Sequence, residues 1–224
     1  MRREQPMRNK VPAVLCGLMA AGFVLASPLS AEQKDLPLPV RPASVGMDLV
    51  TALEQRKSTR EYSTARISSE DLSAILWEAN GVNRPGGKRT APSAYGNQYI
   101  EVYVVADAGS YLYDSSDHRL KWVSDGDLRG KMGRQGYVSK ASHILVLVAD
   151  LGRVPGPLKN REEKLYWANS TAGTIAQNVY LMAASRGIGT CVVAGLHEEN
   201  IRQAFKLPGN LAPLYIMPLG YQRK

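Results

Sequence analysis

The stretch His143-Ile144-Leu145-Val146-Leu147-Val148-Ala149, HILVLVA, anchors the fold: a continuous apolar run of this length reads as a central strand. Upstream of it, Tyr99 to Ala106, YIEVYVVA, is β-branched and aromatic with partial alternation, which predicts another strand. Between the two, Tyr111-Leu112-Tyr113 and Leu120-Lys121-Trp122-Val123 flank the polar turn Asp114 to His118 as a hairpin, and Asp125 is expected to open a short helical stretch. Downstream, a Gly/Pro loop from Gly152 to Pro157 leads into the longest element. Leu165, Ala168, Ala172, Ile175, Val179 and Met182 recur at spacings of three and four, predicting a long helix that Gly187 terminates. Its small residues, Ala168, Ala172, Gly173 and Ala176, admit close approach of another helix, in the core or at a dimer interface. Thr190 to Val193 and Pro213 to Leu219 supply two further strands around a helix from His197 to Phe205.

Nearer the amino terminus, Met47, Leu49, Val50 and Leu53 mark one helix and Leu72, Ile75, Leu76 and Ala79 a second, with Ser68 and Asp71 placed as its capping pair. Gly81 to Lys88, GVNRPGGK, reads as a loop. The expectation is an α+β domain over residues 46–224, without internal repeats.

The first residues have another character. Arg2, Arg3, Arg8 and Lys10 precede an apolar run from Val11 to Ala26 and the small-residue stretch Ser27-Pro28-Leu29-Ser30-Ala31. That order reads as a secretory signal peptide over residues 1–31, cleaved after Ala31, the run being too short for a comfortable transmembrane helix. The mature protein is then exported and periplasmic, without stable membrane insertion. Residues 32–45, with Pro37, Pro39 and Pro42, are expected to form an extended arm over the surface.

The 224 residues carry 28 Lys and Arg against 20 Asp and Glu; cleavage removes four cations and one anion, leaving a net charge of +5. So small and scattered an excess does not argue for nucleic acid. Cys191 alone remains after cleavage and reads as a small buried hydrophobe. His118, His143 and His197 lack metal-ligand spacing, and structural roles are expected for the last two. No Gly-x-Ser-x-Gly turn or P-loop occurs, and Gly187-x-Gly189 follows a helix rather than preceding one, the reverse of a dinucleotide fingerprint. An enzyme without these parts draws its reactivity from a cofactor.

Two stretches remain: Arg56-Lys57-Ser58-Thr59-Arg60-Glu61-Tyr62, RKSTREY, and Arg89 to Asn97, RTAPSAYGN. Three cations set so close call for an anion between them, unless they form only a solvated helix end. RKSTREY after a helix, then APSAYGN, the strand YIEVYVV and later ASRGIGT closely resemble the FMN-dependent nitroreductase-like flavoproteins, over about Met47 to Tyr221. Thr90 to Ala94 followed by Glu101-Val102-Tyr103 resembles the branch near the thiazoline-oxidising dehydrogenases. The resemblance implies a mostly antiparallel central sheet flanked by helices, one of them long and central. It also implies FMN as cofactor, a small-molecule substrate, ping-pong hydride transfer and a homodimer with the flavin between subunits.

Residue by residue, the resemblance assigns the flavin phosphate to Arg56, Ser58 and Arg60, with Lys57 adding charge. A phosphate monoester suits paired guanidinium groups and a hydroxyl. Pro92, Ser93 and Ala94 would lie along the flavin, with Asn97 in reach. Ala194, Gly195 and Leu196 match the backbone facing the reactive ring edge, and Arg134 and Gln135 the pyrimidine side. Arg223 or Lys224 would stand in for a basic tail that many relatives have. Tyr95 and Trp167 are candidates to line a substrate cleft. Nicotinamide cofactors are scarce outside the cytoplasm, so the electron donor stays open, as does an exported protein that binds flavin or another anion without turnover.

Overall fold

The computed structural model describes residues 34–41, 46–154, 156 and 160–223; the leader expected over 1–31 and positions 32, 33 and 42–45 of the arm lie outside them. Seven strands form one antiparallel sheet in the order β1 (Leu36–Pro37), β6 (Arg119–Asp125), β5 (Gly109–Asp114), β4 (Ile100–Val105), β7 (His143–Asp150), β9 (Leu211–Tyr221) and β8 (Ile188–Thr190). HILVLVA is thus an inner strand between β4 and β9. Its unbroken apolarity follows from burial on both faces. Leu145, Leu147 and Ala149 join a core packed by α2 (Ser69–Asn80) and α3 (Arg161–Ser185). Ile144, Val146 and Val148 join a second core with Met132, Val138 and, from α4 (Glu198–Phe205), Ile201 and Phe205.

The long helix expected from the spacing is α3, whose 25 residues span roughly 37 Å. Ala168, Ala172, Ile175, Ala176, Val179 and Met182 bury its inner stripe, so the small residues serve helix-to-sheet and helix-to-helix approach within the chain. Asn178 of α3 donates to the Glu78 carbonyl of α2 at 3.1 Å. Gly187, at φ +64°, closes α3 in a conformation glycine adopts without strain. Ser68 caps α2 by accepting from the Asp71 N–H at 3.1 Å. The Asp71 carboxylate turns elsewhere, to Arg186 and to the Tyr221 hydroxyl, both at 2.6 Å, tying α2 to the ends of α3 and β9.

Of the arm, residues 34–41 are described, and there β1 pairs with β6. Asp35 accepts from the Trp122 N–H at 2.8 Å, and Arg41 lies 3.7 Å over the Trp77 ring beside Glu78. Ser73 donates to the Pro39 carbonyl and His118 to Ser73, while Tyr113 donates to His118 Nδ1, partners that require the Nε2–H tautomer.

Four expectations need correction. Gly81 to Lys88 is no simple loop: β2 (Val82–Arg84) and β3 (Lys88–Arg89) pair around a turn at Pro85–Gly87. Asp125 ends β6 instead of opening a helix, because register with Gly109 prolongs the ladder; short 3₁₀ turns follow at Arg129–Lys131 and Val138–Lys140. Helix α1 (Leu49–Gln55) starts two residues after Met47, with Asp48 as its cap, and its Leu49, Val50 and Leu53 face outward. The strand expected over Thr190 to Val193 stops at Thr190, and Val193 makes an isolated bridge to Ile216.

Candidate functional site

RKSTREY runs along the edge of the sheet where β8 and β9 end. Ser58 bridges Thr190, the Thr59 N–H donates to the Thr190 carbonyl at 2.8 Å, and Tyr62 pairs with Gln222. Two glycines admit this close approach: a methyl at Gly189 would fall 2.6 Å from Thr59 Cγ2, and one at Gly220 2.8 Å from Tyr62. The backbone is therefore fixed while the side chains of Arg56, Lys57, Ser58 and Arg60 line an open surface. Among the described residues none of these three cations has a carboxylate partner.

Aromatic hydroxyls orient the cluster. Ser58 Oγ lies 2.9 Å from the Tyr180 hydroxyl, which accepts from the Val192 N–H at 2.9 Å and so can donate to Ser58. The Arg56 guanidinium stands 5.3 Å from the Tyr180 ring and that of Arg60 5.9 Å from the Tyr137 ring. A hydrogen bond with Tyr137 holds Arg60 more firmly in its charged form. Burial pushes the Tyr62 phenol well above its ordinary range, so it stays neutral and donates to the Thr59 carbonyl. Cys191, fully buried as expected, sits 3.8 Å from the Tyr137 hydroxyl. Arg223 follows Gln222 at the end of β9, on the same edge.

A second group adjoins the first through Tyr137, which stands two residues after Gln135 and immediately before the 3₁₀ turn at Val138–Lys140. The Arg134 N–H donates to the Gly195 carbonyl at 3.0 Å, and Gly133 bridges Leu196. A methyl on Gly195 would lie 2.4 Å from Gln135 Nε2, whose own Oε1 is buried without a partner. Ala194 is exposed beside it and Leu196 buried. Only glycine at 195 lets the Gln135 amide pack this closely, and the packing leaves a buried acceptor unused.

Pro92, Ser93 and Ala94 lie elsewhere. With Tyr99, Trp167, Ser170, Thr171 and Thr174 they line a cleft of about 320 Å³ against the first half of α3. Thr174 and Tyr180 are six residues apart, about 9 Å along the helix. One chain thus presents the assigned residues as two separated groups. Asn97 sits farther out, exposed, its side chain donating to the Arg153 carbonyl at 3.4 Å. Tyr95 and Trp167 stack at 6.4 Å beside the cleft, and Tyr95 holds φ +55°, unusual for a bulky residue. The sequence reading missed Tyr137, Tyr180 and Thr190. Tyr180 falls in a helical pattern indistinguishable from core, and only the chain's return 122 residues after Ser58 reveals its role.

The remaining histidines lie in the sheet and at the start of α4. His143 lies in β7 opposite Leu219, and burial pulls its pKa down to about 4 with help from Arg66 and Arg129. The His197 N–H donates to the Met132 carbonyl at 2.9 Å.

Comparison with known proteins places this geometry. The nitroreductase family model matches residues 53–221. A Methanocaldococcus jannaschii protein provisionally named a nitroreductase is 31% identical over 182 residues, covering 77% of this chain and 90% of its own length. The crystal structure of another provisionally named nitroreductase, from Ralstonia eutropha, superposes with a TM-score of 0.79 at 36% identity, covering 87% of this chain and 92% of that one. An FMN reductase (NADPH) of Bacillus subtilis is 21% identical over 184 residues, 77% of this chain and 65% of its own.

Proposed function

The chain belongs to the nitroreductase family, and on that premise we propose that it is an FMN-dependent oxidoreductase acting on a small organic substrate. The reading rests chiefly on the Arg56, Ser58 and Arg60 cluster: cations on an edge whose backbone is fixed, with no carboxylate partner among the described residues. FMN, when bound, supplies hydride chemistry, so that one substrate is oxidised and a second reduced in turn over one site.

The chain's own residues would bind and orient. Arg56 and Arg60 offer forked N–H donors to a phosphate, Ser58 adds a hydroxyl set by Tyr180, and Lys57 and Arg223 add charge. Gln135, whose Oε1 has no partner among the described residues, would offer an acceptor to a ring N–H, with the backbone of Ala194, Gly195 and Leu196 and the side chain of Arg134 beside it. Pro92, Ser93 and Ala94 form a wall with small side chains, next to Asn97.

That wall stands apart from the phosphate cluster within one chain, which supports a homodimer that completes the site. Exposed Leu49, Val50 and Leu53 on α1 and Tyr166 and Trp167 on α3 supply an apolar face for it. We further propose export, with removal of residues 1–31, and kinship with the thiazoline-oxidising branch on the strength of Thr90 to Ala94 and Glu101 to Tyr103. Among the described residues no helix is long and apolar enough to cross a membrane.

The test is the flavin content of purified protein and of an Arg56→Gln/Arg60→Gln variant. Wild type is expected to bind FMN and to bleach and recover with a substrate pair, while the variant loses most of its chromophore. Unchanged chromophore in the variant overturns the site. Bound flavin that no substrate reoxidises makes the protein a binder without turnover.

A further inference from the structure

Tyr180, on α3, is partly buried against the core beneath that helix, as is Val192 beyond the end of β8. This one side chain meets two of the three residues assigned to the phosphate. Its ring faces the Arg56 guanidinium at 5.3 Å, within cation–π range. Its hydroxyl lies 2.9 Å from Ser58 Oγ.

The direction of the hydrogen bonds follows from what each group can do. A peptide N–H only donates, and that of Val192 reaches the Tyr180 oxygen at 2.9 Å, so the phenol oxygen is an acceptor there. The phenol has one proton of its own, and Ser58 Oγ is the one acceptor in reach of it among the described residues. Ser58 therefore accepts from Tyr180. Its oxygen makes no other hydrogen bond among the described residues, and the residue is exposed, so the serine proton is left for a ligand. The series runs one way, from the Val192 amide through Tyr180 to Ser58, each bond polarising the next.

We infer that Tyr180 is a positioning residue for the cofactor phosphate: it commits Ser58 to donating and stations Arg56 beside it. The inference rests on the reading of Arg56, Ser58 and Arg60 as the flavin phosphate site. An ionised phosphate presents mainly acceptor oxygens, so it is matched by a hydroxyl whose proton is free and mismatched by one whose proton is used inside the protein. Holding Ser58 and Arg56 in place beforehand also removes side-chain freedom that binding would otherwise have to quench. The benefit is confined to the phosphate end of the cofactor. Riboflavin, which has the ring system without the phosphate, gains nothing from it.

The test is a competition on the full-length, FMN-loaded protein. It is equilibrated with FMN–riboflavin mixtures, and the bound flavins are separated and quantified to give the FMN-to-riboflavin affinity ratio. Wild type is expected to select FMN. Tyr180→Phe keeps the ring facing Arg56 and loses the proton given to Ser58, and should lower the ratio about three- to tenfold. Ser58→Ala should lower it by a similar factor, and adding Tyr180→Phe to Ser58→Ala should lower it no further, because the two side chains act as one unit. A merely structural role for Tyr180 would weaken both flavins together; an unmoved ratio in Tyr180→Phe overturns the inference. A full-sized effect of Tyr180→Phe in the Ser58→Ala background overturns it as well. If Ser58→Ala lowers the ratio and Tyr180→Phe does not, the phosphate site stands and only the role of Tyr180 falls. A wild-type protein without preference for FMN overturns both. Should Tyr180→Phe not fold, Tyr180→4-fluorophenylalanine decides, since it fills the space of the hydroxyl and has no proton to give: the same drop supports the inference, and an unchanged ratio overturns it.

Discussion

Arg56 and Arg60 repel one another, and their cost is tolerated because Thr59, between them, is anchored by its backbone to Thr190. Each charge-assisted contact to a phosphate is worth about 1.5–3 kcal/mol, so Arg60→Gln alone should weaken FMN binding by roughly ten- to a hundredfold, read by fluorescence titration. Gly195→Ala tests the packing of Gln135 separately: its methyl meets the Gln135 amide, so flavin content should drop while the far-ultraviolet circular dichroism stays unchanged. His143 sets a pH dependence. Its folded pKa of about 4 lies below the ordinary 6.5, so the unfolded chain binds the proton more readily. The stability that His143 contributes is complete above pH 6.5 and is lost as pH falls towards 4, by at most about 3 kcal/mol. Urea melts at pH 7 and pH 4.5 should show this loss, and His143→Gln should shrink it. RKSTREY could be read as a cationic motif from residue types alone; Tyr137 and Tyr180 could not, because their partners are distant in the chain.

At the scale of elements, α2 and β7 were the most legible. The Ser68 cap and the apolar spacing of α2 are local properties, as is the run in β7, and local rules decide both. Ser68→Ala should cost about 1 kcal/mol of stability, measured by chemical denaturation, through the lost bond to the Asp71 N–H. Helix α1 shows where local pattern falls short. Its amphipathic spacing was correct, yet the apolar side points to solvent, since periodicity tells which residues share a face and not what covers it. The β2–β3 hairpin was hidden by its glycines and proline, which mark a turn but not the short pairing on either side of it.

For the whole molecule, the exposed apolar face on α1 and α3 is the clearest unfinished surface. Leu49→Glu/Leu53→Glu should shift the protein from dimer to monomer in analytical ultracentrifugation and lower flavin content, leaving the monomer folded. A dimer of unchanged affinity would place the interface elsewhere. The amino-acid sequence by itself determined the α+β class, the long helix, the inner strand and the cationic motif, because periodicity, capping and charge clustering act within a few residues. The tertiary structure alone decided that Arg56, Ser58 and Arg60 meet Tyr180 and Tyr137, that Gln135 folds against Gly195, and that Pro92 to Ala94 stand apart from both. Those arrangements depend on strand registers and on contacts between segments far apart in the chain, such as Ser58 with Tyr180, 122 residues later. Such pairings are selected by burial of the whole sheet, and no short window of sequence contains that information.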